Sequence, residues 1–314
     1  MSEDAGRHAS AGEAAFLERL RARLPPAPEG QEWIGDDAAV LEDGLLLATD
    51  ALVEGVHFDL RWCAAADVGW KALAVNLSDL AAMGGTPRAA VAALVVPPDR
   101  AGLAEDIIDG AAAAATAFGC PLVGGDTTGG PVVMVSIAVL GTCAQTGPVL
   151  RRGAQVGDAV FVTGPLGAAA AALAAFRDRH TPTPDARQRL VRPTPRLREG
   201  VAAAAAGATA MIDISDGLAT DLSHLCDASM VGVRIDTSDV PLAGGATFTD
   251  ALQGDDYELC FTAADPKTVA ARFAESDCEA PTRIGMVTPG EQVLVDADGQ
   301  QHPLPRVGWE HTVP

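Results

Sequence analysis

The sequence predicts an α/β protein, of the α+β-like kind, built from two successive α/β domains. Apolar runs rich in β-branched residues alternate with alanine-rich stretches of helical length, an alternation typical of this fold class. The alternation breaks off in the turn-rich segment 143–158 and then starts again. With 314 residues, the chain is long enough for two domains of about 150 residues each. We therefore predict a disordered N-terminus over residues 1–11, a first domain over 12–147 and a second over 148–314.

The first half shows helix and strand signals bounded by proline, glycine and polar turn residues. Asp67 is a candidate N-cap for the second helix, and Gly84 with Gly85 is a stop signal at its other end. "CPLVGGDTTGG" predicts a short strand followed by a glycine turn. The predicted helices are 12–24, 65–85 and 101–118, and the predicted strands are 44–50, 89–97, the start of 120–130, and 132–142.

The second half repeats this succession. A strand, a glycine turn and a helix are predicted over 159–176, and a loop followed by a helix over 192–207. "ATAMIDISDGLATDLSHLCDAS" (208–229) predicts a strand, an acidic turn and a helix. The remaining predictions are the strands "GVRID", "YELCFT", "TRIGMV" and "EQVLVDADG" and the helix "DPKTVAARFAES".

The charge balance excludes partners that bind to basic surfaces. The formal net charge is −20, so the chain repels nucleic acid and anionic membranes, and we expect neither as a partner. All basic residues except Lys71 and Lys267 are arginine. The acidity is compatible with simple solubility, and it leaves open that some acids converge on metal ions.

The cysteines and the absence of apolar leaders indicate the compartment. Six cysteines stand mostly in apolar runs and form no C-x-x-C pair, so we expect small core residues in a reducing compartment. The N-terminal stretch has no apolar leader core, and no stretch is apolar enough to span a bilayer. We therefore expect a cytoplasmic protein.

Six aspartates share one setting, at or just after the end of an apolar strand. Ligands of open α/β folds gather beyond the carboxyl ends of strands, so these side chains are expected to converge. Asp79 lies instead on the helix 65–85, on the same face as Asn76. Clustered carboxylates repel one another unless cations lie between them, and aspartate oxygens suit Mg²⁺; several such ions indicate a polyphosphate ligand. The six are Asp36, Asp37, Asp50, Asp126, Asp213 and Asp216.

Each of these motifs also has a purely structural interpretation. Asp216 before Gly217 is compatible with a helix cap, and "GGDTT" with a tight turn. "TGPLGAAAA" (163–171) either holds an anion at a helix N-terminus or packs an alanine-rich helix closely. The sequence contains no P-loop, protein-kinase or G-x-S-x-G signature, which disfavours the commonest nucleotide-binding and serine-hydrolase sites.

Seven segments, in order, resemble the thiamine-monophosphate kinase family. That family shares a superfamily with aminoimidazole ribonucleotide synthetase, selenophosphate synthetase and a hydrogenase-maturation dehydratase. The resemblance covers residues 12–312, and "NLSDLAAMG" and "GDDYEL" point to the thiamine-phosphate branch in particular. The seven segments are "IGDDAAVL", "TDALVEGVHF", "KALAVNLSDLAAMGGTP", "LVGGDTT", "RRGAQVGD", "IDISDGLATDLSHL" and "GDDYELCFT".

The resemblance implies a set of site residues. Many relatives carry serine or threonine where Ala48 stands and glutamate where Asp255 stands, so Ala48 offers only its backbone carbonyl. His57 is also compatible with a structural role at a strand edge, and Trp309 with an aromatic packed on its own hairpin. The implied metal ligands are Asp37, Ala48 (backbone), Thr49, Asp50, Asp79, Asp126, Asp213 and Asp216, the implied ATP contacts are Gly125, Asp126, Arg151 and Ser215, and the implied thiamine-phosphate contacts are His57, Asp255 and Trp309.

The resemblance also implies an activity and an assembly. The reaction is ATP-dependent phosphorylation of thiamine monophosphate to thiamine diphosphate, assisted by several Mg²⁺ ions, in a homodimer formed through the sheet of the first domain. No covalent nucleophile or general base is expected, because the acceptor phosphate oxygen is already anionic near neutral pH. Two alternatives stay open, namely another ATP-dependent enzyme of the superfamily and a non-catalytic regulator that binds Mg²⁺ or nucleotide. Within the first alternative, the "GVHF" and "GDDYEL" segments disfavour aminoimidazole ribonucleotide synthetase, and the first cysteine, Cys63, and the C-terminal "EHTVP" lack the reactive cysteines of the other two enzymes. The intact set of aspartates disfavours the second alternative.

Overall fold

The computed structural model describes residues 13–305 and 307–308, which form a mixed α/β structure with two sheets. The first sheet uses strands between residues 39 and 142, and the second uses strands between 159 and 303. The predicted fold class, two α/β units of the α+β-like kind, is confirmed. The boundary between 147 and 148 stays a prediction, and the N-terminus 1–11 lies outside the described residues.

The first half places two long helices beside a five-stranded sheet. Its helices are α1 (Glu13–Arg21), α2 (Ala65–Ala82) and α3 (Leu103–Phe118), and its strands are β1 (Ala39–Val40), β2 (Leu45–Val53), β3 (Thr86–Val96), β4 (Leu122–Gly129) and β5 (Met134–Thr142).

The second half surrounds a seven-stranded sheet with helices, and its elements α5, α8 and β12 were not predicted. Its helices are α4 (Ala168–Arg177), α5 (Pro184–Val191), α6 (Leu197–Ala205), α7 (Leu218–Ser229), α8 (Phe248–Ala251) and α9 (Pro266–Glu275). Its strands are β6 (Ala159–Val162), β7 (Ala210–Asp213), β8 (Gly232–Asp236), β9 (Leu259–Ala263), β10 (Thr282–Thr288), β11 (Gln292–Val295) and β12 (Gln301–Pro303).

The first sheet has a covered face and an open face. Its strand order is β1-β2-β5-β3-β4, and the pairs are antiparallel except β3 with β4. Side chains alternate along each strand, so Ile137 and Val139 of β5 are buried in a core that helices α2 and α3 complete. The opposite face leaves apolar side chains exposed, among them Leu47 and Val91.

The second sheet is covered on both faces. Its order is β12-β11-β8-β10-β6-β9-β7, with β8 and β11 as the parallel pair. Helix α7 packs on one face, while α6 and α9 pack on the other. On the latter face Phe161, Phe261 and Phe273 stack in sequence, with ring centroids 5.1 Å and 5.9 Å apart.

Helix α2 is buried between the two halves. It packs on the first sheet, crosses α3 through glycines and meets α6 near its own C-terminal end. A Cβ added to Gly110 of α3 would lie 1.9 Å from the carbonyl oxygen of Ala66, and Gly69 makes the reciprocal contact on α2. A Cβ added to Gly200 of α6 would lie 2.1 Å from the carbonyl oxygen of Ala81. These backbone contacts fix α2 against both halves of the chain.

Three local predictions about the ends of helices and strands are wrong. Asp67 is not the N-cap of α2 but lies in its first turn, where its Oδ2 accepts a hydrogen bond of 3.0 Å from the N–H of Ala64. "GGDTTGG" is not a turn, since β4 pairs with β3 as far as Gly129. Strand β2 continues to Val53, so Asp50 lies within the strand rather than at its end.

The described part of the chain contains no helix that is both long and apolar enough to cross a membrane. All six cysteines are free, and three of them, Cys120, Cys226 and Cys260, are buried. They occupy small apolar positions, as the sequence predicts.

The crossing of α2 and α3 is open to a direct test. Gly110→Ala is expected to lower the free energy of unfolding by about 1–3 kcal/mol, because overpacking at a backbone contact exceeds the helix propensity gained. Urea unfolding followed by circular dichroism measures the change. Gly244→Ala is the control, since a Cβ there meets nothing within 4 Å. Equal stability of the two variants would contradict the tight crossing.

Candidate active site

Three carboxylates from distant parts of the chain converge where α2 meets β7. Asp37 precedes β1, Asp79 lies on the last turns of α2, and Asp213 ends β7. One oxygen from each lies within 4.8 Å of the others. The sequence predicts all three as metal ligands, and the structure brings them together.

This carboxylate cluster has more negative charge than its surroundings balance. Burial, and next the charge of Asp37, raises the pKa of Asp213 to about 8. Burial and the charges of Asp50 and Asp213 raise the pKa of Asp79 well above its ordinary value. Arg151 opposes both shifts without cancelling them. Buried aspartate oxygens with unbalanced charge fit a hard divalent cation such as Mg²⁺, while softer metals favour histidine or cysteine.

Helix α2 also orients two of the neighbouring aspartates. The side-chain oxygen of Asn76 accepts a hydrogen bond of 2.8 Å from the N–H of Asp50. The Ser78 hydroxyl donates to Asp213 Oδ2 at 2.6 Å. Asn76 and Ser78 are fully buried. The segment "NLSD" therefore supplies one carboxylate, Asp79, and positions two others.

Arg151 joins the segment between the two sheets to the cluster. Its guanidinium donates two hydrogen bonds to the Asp37 carboxylate, from Nη2 at 2.7 Å and from Nε at 3.3 Å. Its backbone N–H donates to Asp36 Oδ2 at 3.0 Å, and Asp36 also accepts from the N–H of Asp37 at 3.2 Å. Burial, and next the charge of Asp37, raises the pKa of Asp36 to about 7. Asp36 thus holds the backbone of the arginine that contacts Asp37.

Thr49, Gly125 and Asp126 belong to a second group, on the open face of the first sheet. They line a depression of about 260 Å³. Ala48 and Asp50, on either side of Thr49, belong to the face that α2 covers, because successive residues of a strand point to opposite faces. The structure therefore does not bring Thr49 and Asp126 to the carboxylate cluster within one chain.

The loop after β7 is braced from the side of helix α7. Asp221 Oδ2 accepts hydrogen bonds of 3.0 Å from the N–H groups of both Asp216 and Gly217. Asp216 is therefore not the helix cap that its position also suggested. The carbonyl oxygen of Ser215 accepts a hydrogen bond of 2.8 Å from the N–H of Asp255, so the segments "ISDG" and "GDDY" are held together.

The glycine turn before α4 binds a carboxylate of the same chain, that of Asp256. The N–H of Gly167, at the N-terminal end of α4, donates to both oxygens of Asp256 at 3.0 Å and 2.9 Å. Burial raises the pKa of Asp256 to about 8, although this hydrogen bond lowers it. The turn "TGPLG" therefore anchors the "GDDY" loop, and its helix end already contacts a carboxylate.

The first predicted acceptor contact, His57, is not a member of the carboxylate cluster. His57 follows β2, and its Nδ1 accepts a hydrogen bond of 3.0 Å from the N–H of Val53. The neutral ring therefore carries its proton on Nε2, which is then a donor. Trp309 lies outside the described residues. Gly308 before it packs on α7, where an added Cβ would lie 2.3 Å from the carbonyl oxygen of Asp216.

The third predicted acceptor contact, Asp255, forms an ion pair across the two halves. Its Oδ2 lies 2.5 Å from Nζ of Lys71 on α2. Sequence reasoning did not find this role of Lys71, nor the roles of Ser78 and Asp221. Ser78 adjoins Asp79, a local signal, whereas Lys71 and Asp255 are 184 residues apart and leave no pattern in the sequence.

Two protein-family models match the two halves of the chain. One, described as the N-terminal domain of AIR synthase related protein, matches residues 35–143. The other, described as the C-terminal domain of AIR synthase related protein, matches residues 155–297.

Individual relatives match nearly the whole chain. The thiamine-monophosphate kinase of Mycobacterium tuberculosis is 37% identical over 297 residues, which cover 91% of this chain and 88% of that protein. The thiamine-monophosphate kinase of Escherichia coli is 36% identical over 325 residues, covering 95% of this chain and 96% of that protein. A solved structure, described as AaThiL complexed with AMPPCP and TMP, superposes with a TM-score of 0.84 at 33% identity, covering 99% of this chain and all of the other. The chain therefore belongs to the thiamine-monophosphate kinase family.

Proposed function

We propose that this protein transfers the γ-phosphoryl group of ATP to the phosphate of thiamine monophosphate, giving thiamine diphosphate and ADP. The observation that carries the proposal is the buried cluster of Asp37, Asp79 and Asp213 in a chain of the thiamine-monophosphate kinase family. A similar solved structure holds AMPPCP, an ATP analogue, together with TMP.

The acids fit the metal ions that such a reaction needs. Mg²⁺ would supply positive charge between the phosphates of two anionic substrates. Without a cation, the neighbouring carboxylates repel one another, and this repulsion contributes to the raised pKa values of Asp79 and Asp213. A bound Mg²⁺ would relieve the repulsion. The proposed metal ligands are Asp37, Asp79 and Asp213 of the cluster, together with Asp50 and Asp216 and with Thr49, Asp126 and the Ala48 carbonyl on the first sheet.

The chain itself binds and orients the reactants without forming a covalent intermediate. The acceptor oxygen belongs to a phosphate monoester whose second pKa is about 6, so no side chain has to remove a proton from it. The guanidinium of Arg151 lies at Asp37, and from there it would contact the phosphate that is transferred. Asp36 accepts a hydrogen bond from the backbone N–H of Arg151 and so holds this arginine in place. Gly125, Asp126 and Ser215 complete the proposed ATP contacts.

The acceptor end is proposed to lie at His57, Asp255 and Trp309. His57 presents Nε2–H as a donor because its Nδ1 already accepts the N–H of Val53. An acid and a tryptophan face suit the aminopyrimidine and the cationic thiazolium of thiamine.

The open face of the first sheet is proposed to form a homodimer. Leu47 and Val91 place apolar side chains on this face, with exposures of 43% and 44%. Apolar side chains grouped on one sheet face are a common basis for association. A second copy would cover them by a self-complementary contact.

Turnover of thiamine monophosphate is the direct test of the proposed activity. Purified protein with ATP and Mg²⁺ is expected to form thiamine diphosphate and ADP in equal amounts, measured by chromatography across a panel of phosphate acceptors. Asp79→Asn controls for contaminating kinases and should be slower by about 100-fold or more, because removing a metal carboxylate removes charge stabilisation. Turnover of a ribonucleotide acceptor with none of thiamine monophosphate would contradict the proposal.

Metal binding is expected to strengthen as the pH rises from 6 to 8. The pKa of Asp213 is about 8, so a proton must leave before Mg²⁺ binds. The same raised pKa stabilises the metal-free fold at low pH, and this stabilisation is lost as the pH rises from about 4 towards 8. Isothermal titration of Mg²⁺ in buffers of different ionisation enthalpy measures the protons released. Affinity independent of pH, with no proton release, would contradict the assignment.

The homodimer predicts a mass of twice 32.0 kDa in solution. Val91→Asp places a charge on the open sheet face and is expected to give monomers, because a buried unpaired charge opposes association. Val201→Asp, at an exposed apolar residue of α6, is the matched control and should leave the dimer intact. Light scattering after size-exclusion chromatography gives the masses. A monomeric wild-type protein would show that the open face has another role.

A further inference from the structure

Lys71 is an unusual residue in this chain. It is one of two lysines among 22 basic residues, and within the described residues it is the one basic side chain that is buried, with 4% exposure. A buried ammonium is costly unless a carboxylate accepts its hydrogen bonds, and Asp255 does so at 2.5 Å. Lys71 comes from α2, whereas Asp255 stands on the "GDDY" loop of the second half.

The ion pair is asymmetric. The Lys71 side chain is 5% exposed, while that of Asp255 is 30% exposed. The ammonium therefore sits behind the carboxylate, and the carboxylate stands at the surface of the loop. The Asp255 carboxylate is therefore held by a buried ammonium while its exposed side remains accessible to a ligand.

The rest of the loop is rigidly held, so the Asp255 side chain is the part that Lys71 orients. The backbone of Asp255 has φ of 67°, in the left-handed region, and its N–H is bonded to Ser215. On one side the Asp256 carboxylate is tied to Gly167. Next to it, the backbone N–H of Tyr257 donates to the carbonyl oxygen of Ile214 at 2.9 Å. These contacts fix the backbone of the loop, and the hydrogen bond from Lys71 sets the direction of the Asp255 carboxylate.

Stability alone is a weak explanation for this pair. Replacing a buried ion pair by apolar side chains of similar size is often neutral or stabilising. The ion pair of Asp67 with Arg192 also joins α2 to the second half, but there the acid is the more buried partner. There the carboxylate is 8% exposed and the arginine 34%, so the acid is enclosed and offers nothing to a ligand.

We infer that Lys71 is a positioning residue for the acceptor substrate, holding the Asp255 carboxylate towards the nitrogen-bearing rings of thiamine monophosphate. This inference rests on the proposed activity and on the proposed role of Asp255. Lys71 acts through Asp255 and does not contact the reacting phosphates. Helix α2 thereby serves both ends of the reaction, with Asp79 at the metal cluster and Lys71 at the acceptor.

Steady-state kinetics of four variants test this role. Lys71→Met is expected to raise KM for thiamine monophosphate by about 10-fold or more, a typical effect of losing an oriented charged contact. The value of kcat at saturating acceptor and KM for ATP should change by less than about 3-fold, since the phosphoryl-transfer site is untouched. Asp255→Asn should behave alike, and Lys71→Met with Asp255→Asn should be no worse than Asp255→Asn alone, because one residue acts through the other.

Arg192→Met provides the matched control. It breaks another ion pair between α2 and the second half and is expected to lower the melting temperature without raising KM for the acceptor. The inference is overturned if Lys71→Met changes only the melting temperature, as Arg192→Met does, or if the effects of Lys71→Met and Asp255→Asn on KM simply multiply. A wild-type protein that does not phosphorylate thiamine monophosphate would overturn the proposed function itself, and the inference with it.

Discussion

The burial of one helix, α2, is the constraint on which the rest of the structure depends. Glycines on α2, α3 and α6 allow backbone contact on two sides of this helix, so it has no freedom to shift. A helix so enclosed must pair every polar group that it carries. Its polar residues are paired with partners in both halves, Asn76 with the N–H of Asp50 and Ser78 with Asp213. The position of the site is therefore set by the packing of one helix.

Buried charges in this protein fall into two kinds, and the difference identifies the site. Glu258 is buried but receives Thr163, Arg196 and Arg189, so its charge is locally balanced. Asp37, Asp79 and Asp213 share the single guanidinium of Arg151, and burial raises the pKa values of the latter two. The balanced charge of Glu258 joins elements within the second half, whereas several unbalanced carboxylates that converge at one place indicate a ligand of opposite charge. The "GDD" of residues 35–37 belongs to the unbalanced kind.

The sequence predicts the acids of the site better than their arrangement. Asp37, Asp79 and Asp213 are recognisable from their position beside apolar runs and from the family segments. The separation of Asp126 from them depends on the register of β4 against β3, which no local pattern encodes. The glycines of "GGDTT" favour a turn locally, yet pairing with β3 overrides that preference. The partnership of Lys71 with Asp255 joins residues that only the folded chain brings together.

The shared helix also limits how members of this family can exchange parts. A chimera that joins the first half of one relative to the second half of another inherits α2 from the first parent and its partners from the second. Ser78 would then meet a foreign β7, and the backbone at Ala81 would meet a foreign α6 at a contact that only glycine permits. The residues of the two halves that meet at this helix must therefore change together during evolution, although the residues on the outer faces are free to change independently. Recombination breakpoints between the two sheets are thus expected to be rarer than the sequence linker at 143–158 suggests.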